Sequence, residues 1–135
     1  MAGLHRFSLA PGLTLLATLA LLGCEQQSEA VCTAMFAVAT VTVVDASSGP
    51  AAAATVTTTL VRTGETITPG TVMDFVTGVY PILDDGAIPR LHPAGDSIRV
   101  RAVQGNASAE SGFRFEVPDG CHIQRVSGPD TLVLH

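Results

Sequence analysis

Six side chains in the later part of this sequence carry groups that can do chemistry: Asp84, Asp85, His92, Asp96, Ser97 and His122. Hydrolysis would need a hydroxyl or thiol nucleophile beside a histidine that a carboxylate orients. Ser97 follows Gly95-Asp96, but there is no Gly-x-Ser-x-Gly elbow, and no local spacing sets a His against a Ser or Cys with an orienting acid. The sequence therefore argues against an enzyme. Asp84-Asp85-Gly86 with Asp96 offers the hard oxygen donors that calcium takes, yet the spacing of an EF-hand loop is absent. The plainer expectation is a turn in which Asp84 caps its own backbone and Gly86 takes positive φ. His92, before Pro93, reads as an exposed loop residue. No metal and no organic cofactor is expected.

Composition narrows the field further. In 135 residues the apolar fraction is 47% but aromatics are only 4%, so Ala, Val and Leu must fill any core. One domain fits this length. All seven basic residues are Arg and the formal charge is −5, which leaves no basic stripe for phosphates and excludes nucleic acid as a partner. Mean hydropathy is +0.40, much of it concentrated in the first 23 residues.

Those residues read as an address. Met1 to Phe7 holds Arg6, His5 and no acid, and Ser8 to Leu22 has no charge at all. The apolar run is shorter than the roughly 20 residues that a membrane-spanning helix needs, so it is read as a secretory signal. It closes with Leu21-Leu22-Gly23-Cys24, which resembles the lipobox of bacterial lipoproteins. The resemblance implies cleavage after Gly23 and a diacylglycerol thioether on Cys24. Acylation of the new amine would complete an anchor of two or more chains, enough for stable attachment. Glu25 is not the Asp that retains such proteins in the inner membrane, so outer-membrane placement is expected. Residues 1–23 are then the signal, 24–31 a polar tether, and 32–135 the domain. The mature chain carries six Arg against twelve acids, a formal charge of −6.

With Cys24 given to lipid, Cys32 and Cys121 remain as an even pair in an oxidising compartment, and a disulfide is expected. It would pin the first strand to the last. A two-thiol metal site completed by His122 is the alternative, but it lacks paired C-x-x-C spacing. His122 itself, next to Cys121, is expected on the solvent face.

The body of the domain reads as strands. Ala34–Val44 is mostly small or β-branched, and Asp45 to Pro50 is dense in turn residues. Thr55–Val61 alternates Val56, Thr58 and Leu60 against a wetter face, the period of a half-buried strand. Val72–Val76 and Val79–Leu83 are short apolar runs, and Pro81 makes the second an edge strand. Ile88–Asp96, with two prolines and a glycine, is expected to be a loop. Ser97–Ala102 turns Ile98, Val100 and Ala102 inward and Arg99 and Arg101 outward. Gly112–Val117 does the same with Phe113, Phe115 and Val117 inward. Gly105-Asn106 turns the chain between them. Cys121–Val126 and Thr131–Leu134 complete the set. Seven or eight short strands with turn signals between them make an all-β, antiparallel β-sandwich, transthyretin-like or immunoglobulin-like.

Val41 to Pro50, followed by Ala54-Thr55-Val56, resembles the first hairpin of carboxypeptidase regulatory-like domains, which are transthyretin-like sandwiches. Gly120-Cys121-His122-Ile123 is similar to the late Cys-His strand of small exported bacterial members, which pair that Cys with one near the mature N-terminus. The resemblance implies a non-catalytic module. Expected partners are the membrane, through Cys24, and a protein or glycan that the sequence does not identify. The Leu83–Asp96 segment, with Asp84, Asp85, His92 and Asp96, is the expected contact surface, tolerant of substitution. Arg90, Arg99, Arg101 and Arg114 would form an anion-contacting face if their strands adjoin. A ligand-binding lipoprotein, using loops at one end of the sandwich for carbohydrate or peptide, is the alternative function, and an enzyme the third.

Overall fold

A computed structural model of the chain describes residues 32–70 and 76–135. The expected signal, Cys24 and the expected tether lie outside those residues, as does nearly all of the Val72–Val76 run. The described chain forms eight strands: β1 (Val38–Val44), β2 (Thr55–Leu60), β3 (Thr66–Ile67), β4 (Val79–Asp84), β5 (Asp96–Gln104), β6 (Ala107–Glu116), β7 (Gln124–Ser127) and β8 (Thr131–Val133). They make a sandwich of two sheets, ordered β4-β1-β8 and β3-β2-β5-β6-β7.

Alternation decides which faces meet. Val41 and Val43 of β1 point into the same layer as Ile82 of β4, Leu60 of β2, Ile98, Val100 and Ala102 of β5, and Phe113 and Phe115 of β6, all of them buried. With Phe113 and Phe115 as the only buried aromatics among the described residues, the core depends on aliphatic packing, each fully buried side chain contributing about 1.5–3 kcal/mol. β5 and β6 pair without interruption from Asp96↔Phe115 to Gln104↔Ala107, across the expected two-residue turn, where Gly105 takes φ +60°. Pro81 lies on β4, at the edge of its sheet.

Four features depart from the sequence reading. β1 begins at Val38, not Ala34, and leaves Cys32–Ala37 as a strap outside the sheet. β1 and β2 belong to different sheets and do not form a hairpin. The Asp45 turn between them carries the chain from one layer to the other, touching only through the bridge Val44↔Pro50. Asp85–Arg90, expected to be turn and loop, is a short 3₁₀ helix. The last strand, β8, runs parallel to β1, from Thr42↔Thr131 to Val44↔Val133, in an otherwise antiparallel arrangement. Local alternation carries no information about that pairing.

β7 has no buried side chain. Its Arg125 pairs with inward-facing Phe115 and reaches across the gap between the sheets to the Thr40 carbonyl, 3.3 Å away, while also contacting Asp130. An arginine thus closes the end of the sandwich where the three-stranded sheet is too narrow to cover the five-stranded one.

Candidate functional site

Cys32 and Cys121 are disulfide-bonded, with Cα atoms 5.4 Å apart. Neither lies in a strand: Cys32 is in the strap and Cys121 in the turn before β7, so the bond fastens the strap to that turn and does not join first strand to last. Each cysteine is followed by a polar residue, and the disulfide brings those two together. Thr33 Oγ1 lies 2.9 Å from His122 Nε2. On the other side of the ring, His122 Nδ1 lies 2.8 Å from Asp85 Oδ2. In a neutral imidazole, Nδ1–H facing the carboxylate leaves Nε2 to accept the threonine hydroxyl proton.

Asp85 is held from three directions. Its oxygens accept the backbone N–H of Ala37 at 2.7 Å and of Ile123 at 2.9 Å, besides the imidazole. Its own N–H donates to the Ala37 carbonyl. Burial is the largest single influence on this carboxyl and pushes its pKa up. The hydrogen bonds from Ala37, His122 and Ile123 together outweigh it and leave the group below the usual carboxylate range. Asp119 organises the turn that presents His122: its Oδ1 accepts the N–H of Cys121 and of His122, both at 2.9 Å, and these bonds depress its pKa. His122 is therefore not on the open solvent face, as expected, but partly buried between strap and helix.

A hydroxyl, an imidazole and a carboxylate in series can pass a proton from oxygen to nitrogen. They can equally act as a polar fastener, since all three groups satisfy one another. No spacing argument finds this series, because its members are 89 and 37 residues apart. One signal was present all the same: if Cys32 and Cys121 pair, their successors Thr33 and His122 must be neighbours.

The four residues expected to form a free contact surface do not do so together. Asp84, 2% exposed, accepts the N–H of Gly70 at 2.7 Å and of Gly86 at 3.0 Å. Gly86 is required here for room and not for positive φ: a Cβ would sit 2.9 Å from the Asp84 carboxylate. Asp96, 5% exposed, receives a two-pronged contact from Arg62 at 3.1 and 3.0 Å and the His92 N–H at 2.7 Å. The Arg62 bond is the main reason its carboxyl titrates low; burial opposes this and the His92 N–H adds to it. Only His92 stays exposed, its Nδ1 accepting the Ala94 N–H. The expectation that all four tolerate substitution is corrected on this ground, since three of them brace the backbone.

The strands of Arg99, Arg101 and Arg114 do adjoin, on the outer face of β5 and β6. Acids answer these charges: Arg99 lies 3.3 Å from Glu110 and Arg114 3.5 Å from Glu116, while Arg90 turns to Glu65 at 3.2 Å. Between Arg99 and Arg114 the side chain is missing at Gly112, and a depression of about 500 Å³ opens there, edged by Ser97 and Ser127. Among the described residues no three His, Cys, Asp or Glu side chains gather as a metal site.

Comparison with family models, with curated proteins and with solved structures gives no match to this chain.

Proposed function

We propose that this chain is a lipid-anchored lipoprotein of the bacterial envelope, attached through diacylglycerol on Cys24, whose sandwich acts as a non-catalytic structural or protein-interaction module. The observation that carries the reading is the strap. Within eight residues of the lipobox cysteine the chain enters a disulfide, and by Ala37 it is also bonded through backbone and carboxylate to Asp85. A domain pulled on through its tether is thereby gripped by a covalent bond and not by a strand end that could fray. In the Asp45 turn the carboxylate accepts Ser47 N–H at 2.8 Å and Gly49 N–H at 3.0 Å, a turn role that fits the carboxypeptidase regulatory-like resemblance, although β1 and β2 part into different sheets and do not make that family's hairpin.

The test follows the anchor. Cells fed labelled palmitate should incorporate it into the wild-type chain and not into Cys24→Ala, and blocking the lipoprotein signal peptidase should accumulate a lipidated precursor. Soluble mature protein that forms despite the block would end the proposal. The Thr33–His122–Asp85 series is assigned to fastening in this reading. Turnover of p-nitrophenyl acetate that disappears in Thr33→Ala would reassign it to catalysis.

A second reading, capture of a peptide or carbohydrate, is favoured by the depression at Gly112, which lies on a sheet face and not among end loops. Its lining offers arginines, a glutamate and serine hydroxyls but no exposed aromatic ring, which suits a polar peptide better than a sugar. Gly112→Leu would fill it, and retention of partner capture by that variant would exclude this reading.

A further inference from the structure

The sequence between Ala34 and Ala37 has the character of a core strand, yet the sheet does not use it. Met35 is left 79% exposed and Phe36 57% exposed, an adjacent pair of large apolar side chains in water. Single exposed apolar residues are ordinary, and Val61, Val126 and Val133 are of that kind. The pair in the strap differs because it is fixed on both sides. Upstream, Cys32 is bonded to Cys121 and Thr33 to His122. Downstream, Ala37 exchanges backbone and carboxylate bonds with Asp85. Met35 and Phe36 therefore stand on a short bridge whose ends are tied to the sandwich, and those ties hold the two side chains outward.

We propose that Met35 and Phe36 enter the lipid surface to which Cys24 is attached and so set the orientation of the domain on it. The inference rests on the lipid-anchored reading above and names the face that meets the membrane. Reach comes first: Cys24 and Cys32 are eight residues apart, at most about 29 Å even when fully extended, so the strap is tethered close to the bilayer. Charge comes second. From Cys32 to Val44 there is no charged residue, so pressing the strap against lipid desolvates no ion along it. Asp119, an exposed carboxylate in the turn that holds His122, limits insertion to the interface. The mature chain's charge of −6 gives no attraction to anionic headgroups, so the contact is apolar and insensitive to salt.

The chain contains no tryptophan, so Phe36→Trp supplies a single fluorescent reporter at an exposed position. Full-length lipidated protein carrying it is reconstituted in phosphatidylcholine vesicles, with Val126→Trp prepared identically as the reference. An unchanged thermal melt of each variant shows that the fold is intact. At position 36 the emission shifts to the blue, acrylamide loses access, and lipids brominated at shallow acyl positions quench, consistent with burial of about 5–10 Å. At position 126 the emission stays solvent-like. Equal acrylamide access at the two positions, in protein whose mass shows the lipid on Cys24, overturns the contact and leaves the anchor standing. A mass without lipid overturns the anchor and the contact together. A blue shift that needs no vesicles and grows with protein concentration overturns the contact in favour of a second copy on the same patch.

Discussion

The β5–β6 hairpin is joined by nine consecutive backbone pairs across a two-residue turn, whereas the strap from Cys32 to Ala37 has no ladder of its own. The hairpin is local, and its polar and apolar faces repeat every second residue. The strap is secured by contacts 48 and 89 residues away in sequence: a disulfide, a carboxylate and an imidazole. Backbone pairing distributes stability over many small bonds, so no one side chain on the hairpin's wet face is decisive. The strap concentrates it in a few groups, each of which can be removed alone.

The difference can be tested by size of effect. Replacing both Cys32 and Cys121 by Ser opens a loop of 89 residues, and chain entropy places the loss near 4.6 kcal/mol as an upper figure, read by denaturant unfolding. A loss under about 1 kcal/mol would mean that the polar contacts alone secure the strap. Next comes Gly128→Ala, just beyond β7. Gly128 sits at φ +127°, and a Cβ there would lie 2.2 Å from the Phe113 ring, so overpacking and backbone strain together should cost about 3–4 kcal/mol. A neutral result would show that the hairpin's aromatic side can yield.

Asp85→Ala leaves the Ala37 and Ile123 N–H groups without their acceptor and should cost about 2–3 kcal/mol. The same carboxyl sets a pH dependence. Its folded pKa is depressed below the ordinary 3.8, so its contribution is present above that value and is lost as pH falls through the folded pKa. Asp96 acts in the same direction, through Arg62. Urea melts from pH 6 downward should steepen below about pH 4 in the wild type, and Asp85→Asn should flatten part of that limb. The smallest effect belongs to the hairpin's wet face: Arg99→Gln removes a pair more than half exposed on both sides and should change stability by less than about 0.5 kcal/mol. A larger loss there would erase the contrast between the regions.

The same contrast explains what could be read from sequence. Ile98, Val100, Ala102, Phe113 and Phe115 were legible as core because alternation along a hairpin needs no distant information. Met35 and Phe36 were misread because β-propensity reports that a residue would suit a sheet, not that the sheet has a place for it. Asp84 and Asp96 looked like surface because acids usually are. Their burial follows from distant partners, the Gly70 N–H and the Arg62 guanidinium, which no local pattern displays. The Thr33–His122–Asp85 series became visible only once the disulfide was in place.

The parallel pairing of β8 with β1 has a consequence in time. A chain emerges from its N-terminus, so β1 is available early, but Thr42, Val43 and Val44 must wait 89 residues for Thr131, Leu132 and Val133. The cysteine partner of Cys32 arrives scarcely sooner. Contacts of such long sequence separation form slowly, because closure of the loop must precede any gain from pairing. The sandwich is therefore unable to complete itself while its last strand is still being delivered. If the chain is exported as proposed, that delay would keep it from premature collapse before it is threaded across the membrane.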